Sequence, residues 1–167
     1  MMAETTTIQL TGLDGVYEML RSLPAEVVSK RGGPVKTALR KGAVVIRKAE
    51  IANLRVVTSN QTQEESLSTG LLAKNVIVSR GKPPTDGNGE RYLVRVRRKT
   101  YKRKSGKAVT TLKTAQLLEY GSSKQPAEPW IRPAFQSKAA EAIRTVETEI
   151  VAAIDKIATK LMKQGGA

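Results

Sequence analysis

Apolar residues recur at three- and four-residue steps through two long stretches of this chain, and at alternate positions through a short stretch between them. In the first, Val35, Ala38, Leu39, Val45, Ile46, Ala49 and Leu54 share one side of a helix, with Lys36, Arg40, Lys41, Arg47 and Lys48 around the other. That spacing predicts an amphipathic helix of about five turns, fit to cover a sheet. Its start is marked by Lys30-Arg31-Gly32-Gly33-Pro34, a break that leaves proline in the first turn. The second stretch, Phe135, Ala139, Ala142, Ile143, Val146, Ile150, Ala153, Ile154, Ile157 and Leu161, predicts a long C-terminal helix ending before Gly165-Gly166. From Ala139 on, its steps could seed a coiled coil or pack into the core. A shorter helix is expected over 13–23, where Leu13, Val16, Leu20 and Leu23 share a face and Pro24 stops the pattern.

Strands are predicted at Val76-Ile77-Val78-Ser79 and Tyr92-Leu93-Val94-Arg95-Val96-Arg97, separated by the glycine- and proline-rich run 81–89. In the second, Tyr92, Val94 and Val96 fall on one face, Arg95 and Arg97 on the other. A third strand is expected from Ala108 to Leu112, with Lys99 to Lys107 as a long basic hairpin tip turning at Ser105-Gly106. The polar run 58–69 reads as an exposed loop. The expected fold is α+β: a small antiparallel β-sheet packed against a long amphipathic helix, with a long C-terminal helix closing one side. Residues 1–167 form a single domain in this reading, with flexible ends at 1–9 and 164–167.

Composition narrows the chemistry. The chain has no cysteine and no histidine, so disulfides, thiolate nucleophiles, the usual zinc ligands and the side chain that titrates near neutrality are all missing. Its three aspartates, Asp14, Asp86 and Asp155, lie in unrelated segments. Gly81-Lys82-Pro83-Pro84 and Gly87-Asn88-Gly89 lack the spacing of a phosphate-binding loop, and the prolines remove backbone donors. A non-enzymatic protein without cofactor, metal or small-molecule ligand is expected. No run approaches the ~18 apolar residues of a membrane span, and the N-terminus lacks the basic and apolar regions of an export signal. The expectation is a soluble protein made in a cytoplasm. Only six residues are Phe, Trp or Tyr, so the core must be built mostly of Leu, Ile, Val and Ala.

The net charge of +14 is unevenly spread, and this changes the picture more than its size. Residues 1–90 hold twelve Lys or Arg against nine acids, and residues 119–167 hold seven against six. Residues 91–118 hold ten and no acid. A local block of this kind points to a polyanion or an acidic partner surface. Arg95, Arg97, Arg98, Lys99, Lys102, Arg103, Lys104 and Lys107 are the candidate contacts, against the plainer alternative of a solvated tip. Only Tyr101 interrupts the run from Lys99 to Lys104 as a stacking ring, so neither single-strand binding nor base readout is indicated.

The densest stretch is Leu118-Glu119-Tyr120-Gly121-Ser122, followed by Glu128-Pro129-Trp130-Ile131-Arg132-Pro133-Ala134-Phe135. It holds the single Trp and the single Phe of the chain. Gly121 suits a sharp exit at positive φ, and Pro133 suits a first helical turn. A fixed corner is expected, with Glu119 and Arg132 as a charge-assisted pair across it or across a subunit boundary. Its aromatics either fill the core or anchor a subunit contact.

The pattern acid-aromatic-Gly-Ser, then Pro-aromatic-aliphatic-Arg-Pro-Ala-aromatic, resembles the C-terminal signature of the neck and tail-completion (head-tail joining) proteins of tailed bacteriophages. Ser68-Thr69-Gly70-Leu71-Leu72 before Val76-Ile77-Val78 is similar to that family's Thr-Gly-x-Leu turn leading into a strand. In order, the likeness covers residues 10–160. The basic stretch from Arg95 to Lys107 is longer than the pattern. The resemblance implies a virion protein assembled in the bacterial cytoplasm, in which small subunits form a ring, commonly sixfold, between head and tail. Its partners would be further copies of itself, neighbouring neck and tail proteins and, without sequence preference, packaged DNA. Glu119, Tyr120, Gly121, Trp130, Arg132 and Phe135 would then lie at the subunit interface. The competing expectation is a small basic nucleic-acid-binding module that contacts phosphate as its main task.

Overall fold

The computed structural model describes residues 33–59, 70–82, 89–102 and 106–164. The expected helix over 13–23, both chain ends, most of the polar run to residue 69, residues 83–88 of the turn, and Arg103 and Lys104 lie outside them.

Helix α1 runs from Pro34 to Ser59. It is longer than expected, because Thr58 and Ser59 belong to it and not to a loop. Their hydroxyls donate back to helix carbonyls, Thr58 to Leu54 at 2.9 Å and Ser59 to Val56 at 2.9 Å, so the polar side chains finish the last turn. Every fourth residue of α1 from Ala38 is buried: Ala38, Gly42, Ile46, Glu50, Leu54. Helix α2 (Leu71–Asn75) is a single turn entered through Gly70 at φ 66, and strand β1 (Val76–Arg80) follows directly. The Gly70 turn therefore reaches its strand through one helical turn.

Strand β1 pairs antiparallel with β2 (Tyr92–Val96), Val76 opposite Val96 and Val78 opposite Val94. In β2 the residues Tyr92, Val94 and Val96 turn inward while Leu93 and Arg95 face out, the alternation expected of a half-buried strand. The single sheet is corrected to two ribbons. Strand β3 (Thr100–Lys102) leaves β1 and β2 and pairs with β4 (Ala108–Thr110), so three residues of the expected hairpin tip are strand. The third strand also stops earlier than Leu112. Thr110 is the N-cap of helix α3 (Thr111–Tyr120), its hydroxyl accepting from the Lys113 amide at 3.2 Å, and Thr111 and Leu112 are already helical.

Helix α4 (Ile131–Gln164) lies antiparallel on α1: Asn53 donates to the Trp130 carbonyl near one end, and Lys41 pairs with Glu149 toward the other. The two helices approach closely at Gly42, where an added Cβ would sit 2.6 Å from Val146 Cγ2 and 3.0 Å from the Ala142 carbonyl oxygen. Ala142, Val146 and Ile150 continue the four-residue row on the facing helix, so this part of the C-terminal stripe is used for packing within the chain. The core centres on Leu54, Val76, Ala115, Leu118 and Trp130, with Ile51, Leu72, Val94, Val96 and Ile131 packed around it. The protein is α+β with long helices, and all of its elements except β3 and β4 contribute to this cluster.

Candidate functional site

The corner between α3 and α4 is built around one carboxylate. Glu119, on the last turn of α3, accepts the Trp130 amide at 2.8 Å and the Ile131 amide at 2.9 Å on Oε2. Its Oε1 accepts the Arg132 amide at 3.2 Å and Arg132 Nε at 2.9 Å. A helix start exposes amides that have no partner within the helix, and here a side chain eleven residues earlier satisfies them. Pro133, next in line, has no amide to satisfy. Burial would raise the Glu119 pKa, but the donors from Ile131, Trp130 and Arg132 outweigh it and hold the carboxyl below its ordinary value. The positive end of the α4 dipole adds to the stability of a carboxylate in this place.

Gly121 turns the chain out of α3 at φ 72. A Cβ there would meet the Ala127 amide at 2.7 Å and the Gln125 carbonyl at 2.9 Å, so no other residue fits without moving backbone. Ser122 and Gln125 close the turn by exchanging backbone hydrogen bonds, and the Glu128 amide returns to the Leu118 carbonyl at 2.8 Å. The expected rigidity is thus present, and the Glu119–Arg132 pair spans the corner within one chain.

Trp130 and Glu119, both expected at a subunit interface, are corrected to interior positions. Both are buried within the chain, and a fully enclosed indole has no surface left to offer a partner. Gly121 is half-buried. The other three are on the surface: Tyr120 is 71 % exposed, the Arg132 guanidinium stacks 5.4 Å over its ring centre, and Phe135 is exposed one turn along α4. Aromatic and guanidinium groups held on a rigid corner are the composition of an interface anchor.

The basic block is a separate surface. Arg95, Arg97, Arg98, Lys99, Lys102 and Lys107 are all exposed, and none makes an ion pair among the described residues. The strand-to-ribbon crossing that carries it is pinned by Thr111, which sequence reasoning passed over. This buried hydroxyl donates to the Arg97 carbonyl at 2.6 Å and accepts the Lys99 amide at 2.9 Å, while the Thr111 amide bonds the Lys99 carbonyl at 2.9 Å. Tyr101 packs back toward α3 through a 2.6 Å hydrogen bond with Thr114, so its ring is committed to the body and is no free stacking platform.

Between α1, β2 and α4 runs a groove of about 910 Å³, lined by Leu39, Ala43 and Ile46 from α1, Leu93 from β2, and Phe135 and Ile143 from α4. Glu50 sits at its floor, 5 % exposed. Burial, with a further push from the nearby Glu119 charge, raises the Glu50 pKa to about 7. Of the expected interface residues Arg132 and Phe135 line this groove, but nothing in the sequence reading pointed to Glu50. The available signal was an acid interrupting a four-residue apolar row, Ile46-Glu50-Leu54. Among the described residues no cluster of acids could hold a metal ion, and no helix is long and apolar enough to cross a membrane. No family model, curated protein or solved structure matches this chain.

Proposed function

We propose that this chain is a structural subunit of a tailed-phage or prophage virion, a neck or tail-completion protein that forms a ring between head and tail around the DNA channel. The observation that carries this reading is the capped corner. The residues of the resemblance are the ones that build it: Glu119 as cap, Gly121 as exit, Trp130 as core plug and Pro133 as amide-free first turn. What they hold in place is an exposed Tyr120–Arg132–Phe135 patch. A subunit that works by geometry needs rigid, preorganised contacts, because ordering them on docking would cost affinity. The absence of histidine and cysteine fits a protein that performs no chemistry. Sixfold closure comes from the resemblance, and head-to-tail contacts close a ring when their rotation divides the circle.

The test is Tyr120→Ala with Phe135→Ser in a phage that depends on this gene. The purified variant stays folded, since Tyr120 is 71 % exposed and Phe135 lies at the open groove and outside the buried core, yet particles fail to join heads to tails. Normal joining, or particle images placing the chain in the capsid shell, would overturn the reading.

One observation favours a second reading. The exposed side chains of Arg91, Arg95, Arg97, Arg98, Lys99, Lys102 and Lys107, without ion pairs among the described residues, suit non-specific phosphate contact by the free protein. Retardation of duplex DNA by the isolated monomer, weakening steeply with salt, would support it, whereas a ring subunit binds DNA weakly until assembled.

A further inference from the structure

The groove between α1, β2 and α4 leaves large apolar side chains uncovered, with Leu93 at 42 % and Phe135 at 37 % exposure on two of its walls. It continues the exposed patch at the corner, because Arg132 and Phe135 belong to both. At its floor the buried Glu50 carboxyl receives no hydrogen bond among the described residues. A buried acid without a donor is costly, and a basic group brought in on an apolar carrier relieves it. The one base that lines the groove, Arg132, is already held by Glu119 at 2.9 Å, and Glu147 adds a second acid to the α4 wall. We propose that the groove receives helix α3 of the neighbouring copy in the ring, with Leu112 seated among its apolar walls and the Lys113 ammonium paired with the Glu50 carboxyl.

This pairing rests on the ring reading and supplies the two unlike surfaces that a head-to-tail contact joins. The occupant must therefore come from an element that does not wall the groove. Of the large apolar side chains exposed among the described residues, Val56 lies on α1, Leu93 on β2, and Phe135 and Val151 on α4, all of them walls. Tyr120 carries the Arg132 guanidinium on its ring and so belongs to the groove's own rim. Leu112 remains, 41 % exposed on the first turn of α3, an element that contributes nothing to the groove. Beside it stands Lys113, exposed and without an ion pair among the described residues. The apolar four-carbon stem of a lysine carries its charge along an apolar wall to a buried acid. Lengths agree as well: α3 spans ten residues, about 15 Å, and the α1 wall from Leu39 to Glu50 about 16 Å. Both ions lose water on docking, so the pair fixes register more than it adds affinity. An ammonium beside Glu50 also favours its ionised form, against the burial that raises its pKa in the free subunit. Phe135 is covered only in the assembled ring and stays exposed on the free subunit, as its part in the contact requires.

Lys113→Glu sets an acid against Glu50 across the contact. It leaves α3 its start, because a glutamate at the third helical position suits the Thr110 cap. In a phage that depends on this gene, head-tail joining is expected to fall on the order of tenfold or more, and adding Glu50→Gln restores it to within a few-fold of the parent. Normal joining by Lys113→Glu, or no rescue by Glu50→Gln, overturns the proposal. The natural chain has no cysteine, so cross-linking gives a second readout. Particles assembled from a mixture of Ala43→Cys and Leu112→Cys subunits are treated with a short bis-maleimide, and linked dimers are expected several-fold above those from particles of either variant alone. Equal linking in the unmixed particles, no linking, or linking to another virion protein would each overturn the pairing, the last by assigning the groove to a different partner. Imaging of the same particles separates the two readings. Failed linking of a chain found at the neck overturns the pairing and leaves the ring standing, whereas a chain found elsewhere overturns both.

Discussion

Glu119 does three tasks with two oxygens: it caps α4, fixes the side chain of Arg132 and ties α3 to α4. Glu119→Gln keeps the shape but turns an amide nitrogen toward donors, so we expect a loss of about 2–3 kcal/mol, read by urea denaturation. An unchanged midpoint would mean that water replaces the cap without cost. Because the folded pKa of Glu119 is depressed, its contribution is present above the ordinary carboxylate pKa and lost as pH falls through the folded value. Trp130→Ala removes the largest buried side chain and should cost about 3–5 kcal/mol, checked in the same way. At this scale Gly121, Pro133 and the Glu119–Arg132 pair could be read from the sequence, since each residue type has few physical reasons to stand where it does. Whether Trp130 faced inward or outward could not, because a buried plug and an interface anchor require the same residue.

The elements taught a different lesson. Both long helices were legible because their apolar rows run for many turns, and β2 because its alternation is strict. Helix α3 was missed: Ala108-Val109-Thr110-Thr111-Leu112 has the β-branched look of a strand, and the hydroxyl of Thr110 that starts the helix looks the same in either state. Glu50 was missed because a carboxylate in an apolar row reads as polar surface. Its consequence is a pH dependence opposite to that of Glu119. In the unfolded chain Glu50 titrates near its ordinary 4.5 and in the fold near 7, so the folded state holds the extra proton between them. That contribution is full below pH 4.5 and is lost as pH rises through 7, on the order of 3 kcal/mol. Glu50→Gln should therefore melt higher than the parent at pH 8 and nearly with it at pH 4.5. Equal differences at the two pH values would show that Glu50 reaches water through the groove.

For the molecule as a whole, the charge block is the feature most exposed to test. Arg95, Arg97, Arg98, Lys99 and Lys102 are exposed within eight residues of chain and have no acid nearby in sequence, so at a Debye length of ~8 Å at physiological salt near neighbours among them still repel one another. Replacing Arg98, Lys102, Arg103 and Lys104 with Ser should leave the melting temperature unchanged or slightly raised, yet impair head-tail joining or DNA retention when the variant complements a phage lacking the gene. Normal titre and packaging would reduce the block to a solvated edge. Failure to fold would mean that these side chains support the ribbon.

The approach of α1 to α4 at Gly42 has a consequence in time. The partners in that contact, Gly42 and Val146, are separated by about a hundred positions of chain. At ~5–20 residues per second of synthesis, the row Ala38-Gly42-Ile46 waits on the order of 5–20 seconds on the ribosome before the helix that covers it has been made. The β1–β2 hairpin can close well within that interval, so the nascent chain passes through a stage with a formed hairpin and a bare helix face. Copies of the chain that meet at that stage have a window for faulty association that the finished fold does not reveal.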